Sequence, residues 1–408
     1  METTAKIKIL KDLVHIQSVN GNELEVATYL ANLFKENEIT CEVLPTKDGR
    51  ANLVAEIGSG KPVLAISGHM DTVAVNPDDW DQDPFTLTKV DGHLIGRGVN
   101  DMKGGLAALV IAMIELKQRQ VPLNGTIRLL ATYGEEFAEQ GAADLTAAGY
   151  MQDVAALMIA EPTGYRICYG QAGSIDMTIN AAGQSAHSSM PSLGHNALAD
   201  LVNVLYQLQT NITQLIAGKT NPVLNTETLF NIDVVHGGNQ VNTIPGQATA
   251  QVNLRTIPEV SNAELLKVFD ETVATFNQTY NAQISLKAEM VVDPVIGDGN
   301  SRMIQLIKQV AQPYAERATY TAAEQQQNQQ VMKQLGLPAD QKTIPTLGTP
   351  GGTDARRFLI DHLNGADYTV FGPGNLSSHQ PNEYLDQAMY LDFIKMYEAL
   401  FPAYLATK

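Results

Sequence analysis

An apolar run over residues 63–66 leads straight into Ser67-Gly-His-Met-Asp-Thr-Val73, and this junction constrains the chain more than any other stretch. Four consecutive apolar residues closed by a small polar pair read as a buried strand. Alternate residues of a strand end face the same way, so the imidazole of His69 and the carboxylate of Asp71 share one site. A second segment, Gly96-Arg-Gly-Val-Asn-Asp-Met-Lys-Gly-Gly105, delivers Asp101 from a glycine-rich turn just ahead of a strong helical pattern over 106–116. A buried strand, a glycine turn and an apolar helix are the pieces of an α/β layer, which gathers polar side chains at its strand ends.

The remaining periodicity extends that layer. Apolar spacing predicts helices over 7–19 and 24–34, then strands over 41–44, 52–57 and 63–66. After the helix over 106–116 come a strand over 126–132, a helix near 138–148 and a strand over 155–159. From about Ser174 the pattern changes. A strand over 175–181, a long helix over 193–216, strands over 229–235 and 247–256, a helix over 262–276 and a strand over 283–290 follow. That series is the split β-α-β-β-α-β arrangement of a ferredoxin-like domain. Helix–strand alternation resumes near Ser301, so residues 175–291 read as a domain inserted into a larger one built from 1–174 and 292–408. The glutamine-rich stretch 325–330 reads as a solvated helix face.

At 408 residues the chain is long enough for two such domains. The net charge of −17 disfavours nucleic acid and anionic membrane surfaces as partners, because both require clustered cations. No apolar run is long enough to span a bilayer, and residues 1–6 lack a basic-then-apolar leader, so a cytoplasmic location is expected. Cys41 and Cys168 offer neither a disulfide framework nor a Cys-x-x-Cys metal motif and read as buried small apolar residues.

Other acids and a histidine complete the chemistry. Glu135 and Glu136 follow the strand ending near Thr132, Glu161 follows the strand over 155–159, and His379 lies in Gly372-Pro-Gly-Asn-Leu-Ser-Ser-His-Gln-Pro381. Imidazole and carboxylate suit zinc, and two metals about 3.5–4 Å apart need a bridging carboxylate. Asp101, at its glycine-flanked turn, is the candidate bridge. Of two adjacent acids, one binds metal while its neighbour takes a proton from water. Each piece alone has a plainer reading: His-x-Asp as a surface pattern, Glu135-Glu136 as a helix start, Glu161-Pro162 as a turn. Gly96-x-Gly98 lacks the spacing of a nucleotide loop. Their joint occurrence, in this order and on strand ends, favours a metal centre.

These motifs, with Gly134-Glu-Glu136, Ala160-Glu-Pro-Thr163 and His379-Gln-Pro381, resemble the co-catalytic zinc deacylase and carboxypeptidase family, which includes desuccinylases, acetylornithine deacetylase, aminoacylase and glutamate carboxypeptidase. The resemblance covers nearly the whole chain. It implies an α/β zinc-peptidase-like catalytic domain, a mixed sheet flanked by helices, with an inserted ferredoxin-like α+β lid and dimerisation domain. It assigns His69 and Glu161 to one Zn2+, Glu136 and His379 to the other, and Asp101 to the bridge. Co2+ or Mn2+ also suit these donors. Glu135 takes the role of general base, and Asp71 that of the acid orienting His69. A cis peptide between Asp101 and Met102 is also implied. In Ser185-Ala-His-Ser-Ser-Met-Pro191, His187 matches a histidine that reaches the active site of a partner subunit and supports the oxyanion, so a homodimer is expected. Asn242 and Arg255 match positions lining the substrate pocket, and Gly351, Gly352, Thr353 and Asp354 offer small and polar groups for another pocket wall. The Arg255 guanidinium suits a substrate carboxylate. His15, His93, His195, His236 and His362 lack such support and read as structural or surface residues.

The expected reaction is hydrolysis of an N-acyl amino acid. Gly351-Gly-Thr-Asp-Ala-Arg-Arg357 looks like the desuccinylase branch, implying N-succinyl-LL-2,6-diaminopimelate as substrate. Residues 372–384 look more like acetylornithine deacetylase, so acetylornithine, another N-acyl amino acid or a dipeptide is the alternative. A metal-free binding protein of the same fold is a further alternative; it would normally have lost a ligand or the base, and every matching position here carries a competent residue.

Overall fold

The computed structural model describes residues 1–334, 344–362 and 364–406. The chain forms two compact units, one of 1–170, 296–347 and 353–408, the other of 171–295 and 348–352.

The larger unit opens with α1 (Thr3–His15) and α2 (Glu23–Glu36), then β1 (Thr40–Pro45), β2 (Ala51–Gly58) and β3 (Val63–His69). The ribbon β4 (Thr88–Val90) and β5 (His93–Ile95) precedes α3 (Lys103–Gln118), β6 (Thr126–Thr132), α4 (Gln140–Ala147), β7 (Val154–Pro162) and β8 (Ile167–Gln171). The smaller unit contributes β9 (Gly173–Ala182), β10 (Ala186–His187), α5 (Ala197–Ile216), β11 (Leu229–Gly237), β12 (Thr243–Ile244), β13 (Gln247–Thr256), α6 (Asn262–Tyr280) and β14 (Gln283–Val292). The chain continues through β15 (Val295–Ile296), α7 (Arg302–Arg317), α8 (Ala322–Gln334) and β16 (Thr346–Thr349). It ends with α9 (Ala355–Phe358), β17 (Tyr368–Gly372), β18 (Tyr384–Asp386) and α10 (Gln387–Leu405).

The main sheet runs β1-β2-β6-β3-β7-β17-β8, with the short β15 and β16 at that edge. Its centre is parallel, β3 pairing with β6 and β7, and β7 with β17. Parallel strands covered on both faces are apolar throughout, and all seven residues of β3 are buried. Helix α3 is buried from Lys103 to Leu116 on every face, the burial expected of a helix with no polar stripe. Gly105 permits its close approach to β7: a Cβ there would stand 2.0 Å from the Ala160 carbonyl oxygen.

The smaller unit is an antiparallel sheet in the order β11-β13-β9-β14, carrying α5 and α6. That is the strand order of a ferredoxin-like domain, with its own core of Ile175, Ile179, Leu201, Leu254, Phe269 and neighbours. The Asn196 side chain accepts the Ala199 N–H at 3.0 Å and caps α5, and Ser261 with Glu264 forms a capping box on α6.

Several boundaries differ from the periodicity. The first helix ends at His15, because Val19 bridges to Thr72 and the Ser18 hydroxyl donates to the Met70 carbonyl at 2.6 Å. The helix after Glu136 starts only at Gln140, since Ala138 and Glu139 have positive φ. Cys168 is buried, whereas Cys41 is half-buried. The glutamine-rich stretch does lie on a helix, α8.

Candidate metal centre

The donors converge because four neighbouring parallel strands release them at the same edge, where α/β sheets place their ligands. His69 ends β3, and Asp71 follows two residues later. Glu135 and Glu136 follow β6 through a turn at Gly134, whose φ of +71° suits glycine. Glu161 is the penultimate residue of β7, and the segment after β17 carries His379. Asp101 comes from the turn before α3, and its peptide bond to Met102 is cis.

Asp101 stands at the centre of this group. Its Oδ1 lies 3.1 Å from His69 Nε2 and its Oδ2 lies 3.4 Å from His379 Nε2. His69 Nε2 is also 3.4 Å from Glu161 Oε1, and His379 Nε2 is 3.1 Å from Glu136 Oε1. Two donor groups result, His69–Asp101–Glu161 and Asp101–Glu136–His379, each with ligand atoms within 4.8 Å of one another. One carboxylate presenting an oxygen to each of two imidazole-plus-carboxylate groups is the donor set that two divalent ions require.

Electrostatics point the same way. Burial and the Asp101 charge push the Glu161 carboxyl well above its ordinary range. Burial likewise raises Glu135 strongly, against the opposing charge of His69. For Asp101 burial would raise the pKa, but hydrogen bonds from His379 and His69 hold it below the usual carboxylate range. Hydrogen bonds to Asp101 and Glu136 lift His379 to about 10. Acids crowded out of water need positive charge; the charges acting on Asp101, Glu135 and Glu161 include the imidazoles of His69 and His379, a task suited to divalent cations.

Asp71 does more than the sequence suggests. The His69 ring donates from Nδ1 to the Asp71 backbone carbonyl at 3.0 Å, while the Asp71 carboxylate stands farther off, at 3.6 Å. That carboxylate accepts the N–H of Glu135 on Oδ1 and of Glu136 on Oδ2, each at 3.2 Å. The carboxylate therefore holds the acid pair, while the backbone carbonyl of the same residue holds the imidazole. Glu135 Oε2 faces His69 Nε2 at 4.0 Å, beside both donor groups.

Sequence reasoning missed Glu383. Fully buried, it accepts the N–H groups of Gly98, Asn100 and Asp101 at 3.1, 2.8 and 3.0 Å, and pairs with Arg97 at 2.6 Å. Asn100 then ties this turn to the His379 loop, donating to Ser378 Oγ at 2.8 Å and accepting the Asn375 N–H at 2.8 Å. The one available signal was an acid four residues after His379, which is also what a surface loop looks like. Asp354, which the sequence offered only as the end of the Gly351–Asp354 stretch, is buried as well. Its Oδ2 accepts from the Thr132 hydroxyl at 2.5 Å, and burial raises its pKa to about 7.

Thr353 is buried in the larger unit and accepts the Ala355 N–H at 3.2 Å. In the smaller unit, β10 pairs His187 with Thr243 of β12, and the Ser188 N–H donates to the Asn242 carbonyl at 3.0 Å, which brings those two segments together. His187 is exposed, with Nδ1 2.7 Å from the Ser189 hydroxyl. Arg255 lies on β13 opposite Ser174 and Leu229 and makes no ion pair among the described residues. Gly351 and Gly352 also belong to the smaller unit, Gly351 donating to Thr349 Oγ1 at 3.1 Å.

Residues 65–402 match the family described as peptidase family M20/M25/M40. The chain belongs to that family. A probable succinyl-diaminopimelate desuccinylase from Staphylococcus epidermidis is 40% identical over 98% of this chain and 98% of its own length. An acetylornithine deacetylase from Proteus mirabilis is 27% identical over 94% and 92%. Among solved structures, an M20 family metallo-carboxypeptidase from Sulfolobus solfataricus superposes with a TM-score of 0.75 at 18% identity, covering 99% of this chain and all (100%) of that one. A dinuclear metal binding M20 peptidase from Bacillus subtilis gives 0.68 at 20% identity, covering 99% and 98%. This M20 chain is thus a metal-dependent amide hydrolase of mixed α/β fold.

Proposed function

We propose that this M20 amidohydrolase removes the succinyl group from N-succinyl-LL-2,6-diaminopimelate, giving succinate and LL-diaminopimelate for lysine and cell-wall precursor synthesis. The observation that carries the two-metal part is Asp101, which presents one oxygen to His69 and the other to His379. The substrate reading is supported by the near full-length likeness to the staphylococcal protein.

His69, Asp101 and Glu161 would hold one Zn2+, and Asp101, Glu136 and His379 the other, with Co2+ or Mn2+ as substitutes. Bound there, the ions polarise the scissile carbonyl and lower the pKa of water. Glu135 accepts a proton from the attacking water and returns it to the leaving amine, a task suited to a carboxylate with a raised pKa. Asp71 keeps Glu135 and Glu136 in register by holding their backbone N–H groups. Arg255, Asn242, Gly351, Gly352 and Thr353 are assigned to substrate binding, and His187 to oxyanion support across a homodimer. Residues 1–174 and 292–408 then act as catalytic domain, with 175–291 as lid and dimer interface. The exposed Leu229, Ile232 and Val235 on the edge strand β11, with Val202 and Tyr206 on α5, support such an interface. No described helix is long and apolar enough to cross a membrane, consistent with work in the cytoplasm on a small soluble substrate.

The deciding experiment is the ratio of kcat/KM for N-succinyl-LL-diaminopimelate over N-acetylornithine with zinc-loaded protein. A ratio above about a hundredfold, nearly 3 kcal/mol of discrimination, establishes the desuccinylase. A ratio near or below one moves the chain to acetylornithine deacetylase or a broader deacylase or dipeptidase, a reading the Proteus relative favours. Stoichiometric metal with no hydrolysis of any of these would leave a binding protein.

A further inference from the structure

A cavity of about 180 Å³ lies wholly within the larger unit, between α7, α8, the turn after β7 and the start of α10. It exceeds the roughly 150 Å³ of an engineered cavity that accommodates benzene. None of the metal-centre donors lines it. Its walls are mainly apolar and aromatic, with Tyr165, Tyr320, Met332, Leu376 and Met389 prominent.

Its charged groups are divided by sign. Arg166, partly buried, donates from Nε to the Thr163 carbonyl at 2.9 Å and from Nη1 to Asn328 Oδ1 at 3.2 Å, both neutral acceptors. A guanidinium has five N–H donors and stays charged, so further donors remain for a ligand. Among the described residues Arg166 has no ion pair, whereas Arg97, Arg50, Arg356 and Arg317 each face a carboxylate. Burial draws its pKa below the ordinary guanidinium value, with no carboxylate restoring it.

Acids also line the cavity. Asp392 is taken up by Arg317 at 2.7 Å. Glu324 Oε2 accepts from the Thr321 backbone N–H and hydroxyl, and its Oε1 from the Tyr384 hydroxyl at 3.1 Å. Asp386 caps α10 through Oδ1, accepting the Met389 N–H at 2.7 Å. Among the described residues no lysine or arginine pairs with Glu324 or Asp386, although His93 lies 3.9 Å from Glu324. Tyr320 feels both poles: burial raises its pKa, Glu324 and Asp386 add to that, and Arg166 opposes them.

We propose that this cavity is a second, non-catalytic binding site for a free α-amino acid with an apolar side chain. The carboxylate pairs with Arg166, the ammonium faces Asp386 and Glu324, and the side chain packs among the tyrosines and methionines. A simple anion would meet the acids unpaired, and a simple cation would meet Arg166. Only a zwitterion with an apolar body complements all three. The cavity is separate from the metal centre, because none of the donors lines it.

L-phenylalanine is the probe, titrated calorimetrically into the full chain with and without metal. It is expected to bind one to one in both forms. Phenylacetate and phenethylamine, each lacking one charge, are expected to bind at least about tenfold more weakly. Arg166→Gln, whose amide ends at the depth of Nε and so keeps polar reach to the Thr163 carbonyl while removing the charge, should weaken phenylalanine by at least a similar factor. Ala318→Leu, which fills the cavity and leaves the guanidinium in place, should abolish binding, and melting curves verify that both variants fold. Binding that needs metal, that survives Ala318→Leu unchanged, or that phenylacetate or phenethylamine matches would overturn the proposal.

Discussion

The Glu383 carboxylate accepts the backbone N–H of Asp101 at 3.0 Å, so an acid far along the chain holds the bridging residue's turn in place. The same carboxylate holds Gly98 and Asn100 and neutralises Arg97, whose guanidinium lies over Trp80. Glu383→Ala leaves a buried arginine and three backbone donors without their acceptor. The expected loss is about 3–5 kcal/mol of stability, read as a lower denaturation midpoint with an unchanged slope. Glu383→Gln should lose less, because the amide oxygen still accepts.

Asp71→Asn replaces one acceptor oxygen by a donor, opposite either the Glu135 or the Glu136 N–H. The acid pair loses its alignment while the His69 bond to the Asp71 carbonyl survives. A fall in kcat of about 10–100-fold is expected, the usual effect of losing a partner that orients metal-site groups. Undiminished kcat would show that the backbone alone holds the pair.

Glu135→Gln is nearly isosteric and removes only the proton acceptor. Activity should drop by about 10²–10⁴-fold, with metal content measured by elemental analysis unchanged. Lost metal would instead make Glu135 a ligand.

Chelation should abolish hydrolysis, and added zinc or cobalt should restore it. Chelation should also lower the melting temperature of a metal-loaded sample, because ligands that bind only the folded state stabilise it by mass action. An unchanged melting temperature would separate the acid cluster from metal binding.

Gly105→Ala places a methyl carbon 2.0 Å from the Ala160 carbonyl oxygen, one residue before Glu161. Helix and strand must part, at about 1–3 kcal/mol. The expected result is a lower melting temperature with weakened metal affinity, measured by competition with a chelating dye.

Much of the site was legible because its donors sit in short segments whose local rules are strong. A glycine-rich turn, a strand running into His69-x-Asp71 and paired acids after a strand each announce themselves within ten residues. Strand β6 and strand β13 begin and end where their apolar patterns do, because a buried strand has its limits written in its own residues. Helix limits were less legible: α1 stops where Ser18 and Val19 engage the segment after β3, contacts that no local pattern encodes.

The sequence by itself determined the element types, the split series of the smaller unit and the list of acids and histidines able to meet. Tertiary structure alone decided which oxygen faces which nitrogen, that Asp71 spends its carboxylate on two backbone amides, and that Glu383 reaches back to the Asp101 turn. The physical reason is range. Periodicity and turn chemistry act over a few neighbours, whereas a buried carboxylate takes whatever donors the fold brings to it. Glu383 and Asp101 are 282 positions apart.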